Sequence, residues 1–162
     1  MNIAVFGGSF DPPHDGHKRV IEEAIKVLDI DRLFVIPTYL SPFKKSFYHD
    51  EQKRYELVQD MVKEFEKVDV LDIEIKQKKA VPSYETIKYL KKKFSLDKIY
   101  LIIGADNLKS LSKWYKYQEL KNMVEFVVAT RDGIKIPKEY KILKVNVDIS
   151  STQIRRKDFE QD

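Results

Sequence analysis

Two histidines three residues apart, His14 and His17, follow the run Gly7-Gly8-Ser9-Phe10-Asp11-Pro12-Pro13. In a first helical turn that spacing puts both imidazoles on one face, aimed at one point. Gly7 and Gly8 let an anion approach the backbone closely and permit positive φ. Pro12 and Pro13 remove two N–H donors and set the loop's shape before a ligand arrives. Asp15, between the histidines, is the expected N-cap. Two imidazoles beside a helix N-terminus suit a polyphosphate whose charge grows during reaction.

The flanking residues say what must position this loop. Ile3-Ala4-Val5-Phe6 reads as a buried strand, and the apolar spacing from Val20 to Leu28 reads as a helix. Further along, strands are predicted near 2–7, 32–37, 69–75, 98–103, 124–130 and 141–146. Helices are predicted near 15–28, 51–66, 84–94, 115–121 and 151–157. Such alternation specifies an α/β protein with a Rossmann-like, doubly wound parallel sheet, here one compact domain over 1–162. The apolar stripe Tyr55, Leu57, Val58, Met61, Val62 and Phe65 reads as core packing. Residues 76–79 read as a basic flexible link, and Lys91-Lys92-Lys93 as cations at a helix C-terminus.

Three other segments carry polar chemistry. In Asp148-Ile149-Ser150-Ser151-Thr152-Gln153-Ile154-Arg155 the hydroxyls can cap a helix, and Arg155 lies one turn on, where a guanidinium can grip a phosphate with two donors. Leu101-Ile102-Ile103-Gly104-Ala105-Asp106 reads as a buried strand opening at its C-terminal edge, where ligands bind in open α/β sheets. Trp114-Tyr115 follows. Pro82-Ser83-Tyr84-Glu85-Thr86-Ile87 is a helix start with Ser83 as cap and Glu85 in the first turn.

The first run resembles the signature of the nucleotidyltransferase superfamily, and its double-Gly, double-Pro form resembles the nicotinate-nucleotide adenylyltransferases. The 148–155 segment resembles that superfamily's second signature, Ile-Ser-Ser-Thr-x-Ile-Arg. The resemblance extends from Met1 to about Arg155. It implies transfer of the AMP part of ATP to nicotinic acid mononucleotide, giving deamido-NAD and pyrophosphate in NAD biosynthesis. A sister reaction with nicotinamide mononucleotide, phosphopantetheine or another phosphate acceptor is the alternative.

By the same resemblance His14, His17 and Arg155 are the catalytic residues. Gly7, Gly8, Ser9, Phe10 and Gly16 meet ATP. Gly104 and Asp106 face its ribose, Ile149 and Ser150 meet ATP, and Ser151 and Thr152 hold its outer phosphates with Arg155. Trp114 either stacks on the pyridine ring or packs in the core. Tyr115 offers its backbone to the nicotinate carboxylate. Ser83 either touches that carboxylate or only caps its helix. Lys44 either meets a phosphate or is a solvated neighbour of Lys45. The family's Pro-Pro-His-Lys is here Ser41-Pro42-Phe43-Lys44, with Phe43 for the histidine. Arg54 matches a family position, but a surface residue is the expectation. The chain ends soon after the second signature, a compact or shortened form that leaves dimer contacts open.

Composition narrows the classes. The chain has 162 residues, a net charge of +4 and no cysteine, which rules out disulfides, thiolate metal sites and a Cys nucleophile and fits a reducing cytoplasm. No apolar stretch approaches the ~20 residues of a membrane span. The N-terminus reads as a strand, not a signal peptide. Both charge signs are mixed, so the basic balance calls for no nucleic acid. No Ser/His/Asp set and no carboxylate cluster with metal-ligand spacing is visible. Direct in-line attack without a covalent intermediate is therefore expected, with Mg²⁺ carried on ATP and no protein metal site. A monomer and a homo-oligomer both remain open.

Overall fold

The computed structural model describes residues 1–39, 47–131 and 133–145. Among these residues six strands form one parallel sheet: β1 (Asn2–Gly8), β2 (Arg32–Pro37), β3 (Val68–Val70), β4 (Lys98–Gly104), β5 (Glu125–Ala129) and β6 (Lys141–Leu143). Their order is β3-β2-β1-β4-β5-β6. The order reverses between β1 and β4, so a crevice opens there beyond the C-terminal strand ends.

The helices are α1 (Asp15–Val27), α2 (Glu51–Val62), α3 (Ser83–Lys93) and α4 (Tyr117–Met123). Successive β1 residues point to opposite faces, which gives two cores. Ala4 and Phe6 pack with Val20, Ile21 and Ala24 of α1 and Val58 of α2. Ile3 and Val5 pack with Ile87 and Leu90 of α3 and Leu120 of α4. Strands buried on both faces need the continuous apolar runs seen in the sequence. The expected doubly wound architecture is therefore present.

Several boundaries differ from expectation; β6 ends at Leu143 and α4 runs Tyr117–Met123. The alternating residues from 69 to 75 form a strand only to Val70. The chain must then leave the sheet to reach the opposite face, and it turns through a 3-10 helix at Ile75–Gln77. The basic link at 76–79 thus includes an ordered turn. Arg32 fixes β2 to the short edge strand β3, donating from Nε and Nη2 to the two Asp69 oxygens at 2.8 and 2.6 Å. Helix α2 ends at Val62, and Phe65 reaches the first core from the turn beyond. The predicted helix at 151–157 lies outside the described residues.

Candidate active site

The loop after β1 delivers both histidines to the sheet edge. His14 itself is the N-cap of α1, and Asp15 is the first helical residue, which corrects the expected cap. The cause is local geometry. His14 has extended backbone, its Nδ1 accepts from Gly16 N–H at 2.9 Å, and its own N–H donates to His17 Nδ1 at 3.1 Å. This is a capping box built from two imidazoles. Each Nδ1 accepts a backbone hydrogen, so in each neutral ring Nε2 bears the proton. The rings stack with centroids 3.9 Å apart. Burial lowers the His14 pKa below its ordinary 6.5; Asp15 opposes this and Arg131 adds to it. His14 is thus a neutral Nε2–H donor at pH 7.

The glycines work differently from expectation. Neither Gly7 nor Gly8 has positive φ; in this loop that conformation falls on Phe10, at φ 50°. The Phe10 ring is buried and meets Phe6 and His17 edge-on, at 5.4 and 4.8 Å between centroids. Burial of that ring holds a backbone geometry that non-glycine residues rarely adopt. Gly7 is exposed, so its open backbone face is what an anion can reach.

The strand across the reversal point supplies the next residues. Gly104 ends β4 with ordinary backbone, but a Cβ there would stand 2.7 Å from Asp106 Oδ1. Asp106 Oδ2 accepts from Arg131 Nη1 at 3.4 Å. Arg131, beyond the C-terminal end of β5, also acts electrostatically on His14. It was not singled out in the sequence. The signal was its place after the apolar run 124–130, at the ligand-binding edge of a parallel sheet.

A second group gathers aromatic residues. The Tyr84 and Tyr115 rings meet at 6.0 Å, which joins the start of α3 to the Trp114-Tyr115 loop. Lys116 Nζ lies 4.9 Å from the Tyr84 ring. Trp114 packs against the second core, yet its Nε1–H is buried with no partner among the described residues. Pro82, not Ser83, is the N-cap of α3, and no side chain caps it. That corrects the capping role expected of Ser83. A cleft of about 720 Å³ lies alongside, lined in part by Glu74, Pro82, Thr86, Lys88 and Tyr115.

Arg54 is the largest departure. Expected at the surface, it is fully buried. It begins the stripe Arg54, Val58, Val62, at helical spacing on the inner side of α2. That phase was the available signal, and the charge masked it. Lys44, Ile149, Ser150, Ser151, Thr152 and Arg155 lie outside the described residues. Among the described residues no three His, Cys, Asp or Glu side chains group as a metal site.

A cytidylyltransferase-like family model matches residues 5–157. The "Probable nicotinate-nucleotide adenylyltransferase" of Campylobacter jejuni is 51% identical over 155 residues, 96% of this chain and 86% of that protein. The chain belongs to the cytidylyltransferase-like family, on its nicotinate-nucleotide adenylyltransferase branch. The corresponding Aliarcobacter butzleri protein is 48% identical over 157 residues, again 96% and 86% of the two chains. The Plasmodium falciparum nicotinic acid mononucleotide adenylyltransferase complexed with NaAD superposes with a TM-score of 0.78 at 22% identity, covering 96% of this chain and 83% of that one. This cytidylyltransferase-like chain shares that fold. No helix among its described residues is long and apolar enough to cross a membrane.

Proposed function

We propose that this chain joins nicotinic acid mononucleotide to the AMP part of ATP, giving deamido-NAD and pyrophosphate. The observation that carries this reading is the stacked His14–His17 pair, with both Nε2–H donors fixed by backbone amides at the crevice between β1 and β4. Membership of the adenylyltransferase branch supports the choice of substrates.

The 5′-phosphate of the mononucleotide attacks the α-phosphorus of ATP in line. A new P–O bond forms there as the bond to the β-phosphate oxygen breaks, and pyrophosphate takes the electron pair. The attacking phosphate is already an anion, so no general base is needed. The chain's tasks are positioning and charge stabilisation. His14 and His17 donate to the α- and β-phosphates and to the leaving pyrophosphate. Gly7, Gly8, Ser9, Phe10 and Gly16 form the loop around them, although the Gly16 N–H is committed to His14 Nδ1. Gly104 and Asp106 face the ribose. By motif, Ser151, Thr152 and Arg155 hold the outer phosphates, Ile149 and Ser150 meet ATP beside them, and Lys44 meets a phosphate. Trp114, Tyr115 and Ser83 form the pyridine pocket, beside the Tyr84–Tyr115 contact. Mg²⁺ enters as part of the ATP substrate, liganded by the phosphates. The whole chain acts as one nucleotidyltransferase domain.

The test is pyrophosphate release with ATP and Mg²⁺, supplying nicotinic acid mononucleotide, nicotinamide mononucleotide and phosphopantetheine in parallel. Preference for the nicotinate compound is expected. Release only with another acceptor would replace the substrate and leave the phosphate site standing.

A further inference from the structure

Arg54 Nε donates to His49 O at 3.2 Å, Nη1 to Ser9 O at 2.8 Å and Thr38 O at 2.6 Å, and Nη2 to Tyr39 O at 3.1 Å. The guanidinium lies 4.1 Å from the centroid of the Phe47 ring. All four acceptors are carbonyls, and they come from three separate stretches of chain. Asp11, also buried, accepts from the N–H groups of Tyr48 and His49 at 2.6 and 2.7 Å. Thr38 N–H donates to Gly8 O at 3.0 Å. Arg54 therefore grips the glycine-rich turn twice, directly at Ser9 and through Thr38 at Gly8.

A buried guanidinium is an expensive way to fill a core position, where an apolar side chain of similar volume often serves as well or better. What it supplies is a rigid planar fork of five donors, which no other side chain offers. The fork ends on the carbonyl of Ser9, immediately before Phe10, the residue held at φ 50°. Strained backbone persists only where its surroundings over-determine it.

We propose that Arg54 is a positioning residue for adenylyl transfer, holding the Gly8-Ser9-Phe10 turn in the shape that receives the ATP phosphates. It touches no reacting atom and acts through that turn. This rests on the phosphate-site reading above.

The test compares Arg54→Lys and Arg54→Ala with wild type by steady-state kinetics and thermal unfolding. Lysine keeps charge and stem but not the fork. kcat/KM for ATP should fall by about 10²-fold in each variant, while KM for nicotinic acid mononucleotide stays within about 3-fold. Millimolar guanidinium ion, far below denaturing levels, should restore part of the loss in Arg54→Ala and none in Arg54→Lys. Full ATP kinetics in folded variants with only a lowered Tm would overturn the proposal. Should neither variant fold, Phe47→Leu decides: a fall in kcat/KM for ATP supports the proposal, and unchanged kinetics overturn it. Affinity for a non-hydrolysable ATP analogue separates the two readings. If wild type turns over no acceptor, the acceptor reading fails. Arg54→Lys should still bind the analogue about 10-fold more weakly, and equal binding would overturn the role of Arg54.

Discussion

His14 and His17 fix one another: the backbone N–H of His14 donates to His17 Nδ1, and the rings stack at 3.9 Å. The same bond that starts the helix sets which nitrogen of His17 faces outward. Capping and catalysis can therefore be separated by substitution. Glutamine at the third helical position completes a capping box but lacks the imidazole Nε2–H. His17→Gln should fold with a Tm close to wild type, whereas His17→Ala also loses a cap bond of about 1 kcal/mol. Both should lower kcat by ~10² or more. Near wild-type turnover in either one would remove His17 from the phosphate site.

His14 gives α1 a pH dependence. Its pKa lies below 6.5 in the folded chain, chiefly through burial, so the folded state binds fewer protons than the unfolded state. The stability it supports is full above pH 6.5 and is lost as pH falls below that value. Asparagine is a good N-cap and does not titrate. Urea unfolding of wild type and His14→Asn should therefore diverge between pH 7.5 and 5, with wild type losing more. Every other titrating group is shared, so parallel curves would mean that His14 does not cap as a neutral ring.

Much of this was legible in the sequence, and the residues show why. The run Ile3–Phe6 and the stripe Val20, Ile21, Ala24 are local patterns, and β1 and α1 fell where those patterns put them. The pairing of His14 with His17 needed only their spacing. Arg54 was legible only in part: its phase with Val58 and Val62 marks the buried side of α2, but its acceptors are carbonyls as far as 45 residues away, and no local pattern says that they converge on it. The cap of α1 departs from propensity, which favours aspartate over histidine, because a reciprocal bond between two imidazoles outweighs that preference. Strand β3 ends sooner than its pattern predicts because Leu71 and Ile73 keep a strand-like alternation while packing against the second core from beyond the strand's end. Local alternation does not record where the chain must change faces.

Gly104 is needed for space rather than for conformation, since its φ is −74°. An added Cβ would drive the Asp106 carboxylate from its place and break its 3.4 Å contact with Arg131. Gly104→Ala should fold normally and raise KM for ATP by roughly 10-fold, the cost of one charge-assisted hydrogen bond to the nucleotide. KM for the mononucleotide should be unchanged. An unaltered KM for ATP would take Asp106 out of the nucleotide site.

Glu74 offers a stability test beyond the phosphate site. Only 7% exposed, it accepts from Thr86 Oγ1 at 2.8 Å, joining the crossover after β3 to the first turns of α3. Burial pushes its pKa up from 4.5 to about 7, against the opposing effect of the Thr86 hydrogen bond. The folded state therefore binds more protons than the unfolded state between these values. Stability is full below pH 4.5 and is lost as pH rises through about 7, the opposite sign to His14. Glutamine keeps a hydrogen-bonding partner for Thr86 and carries no charge. Glu74→Gln should be more stable than wild type at pH 8 by on the order of 1–3 kcal/mol, with the advantage vanishing near pH 4.5. Chemical unfolding at the two pH values measures it. A variant less stable than wild type at pH 8 would mean that the ionised carboxylate contributes to holding α3 in place.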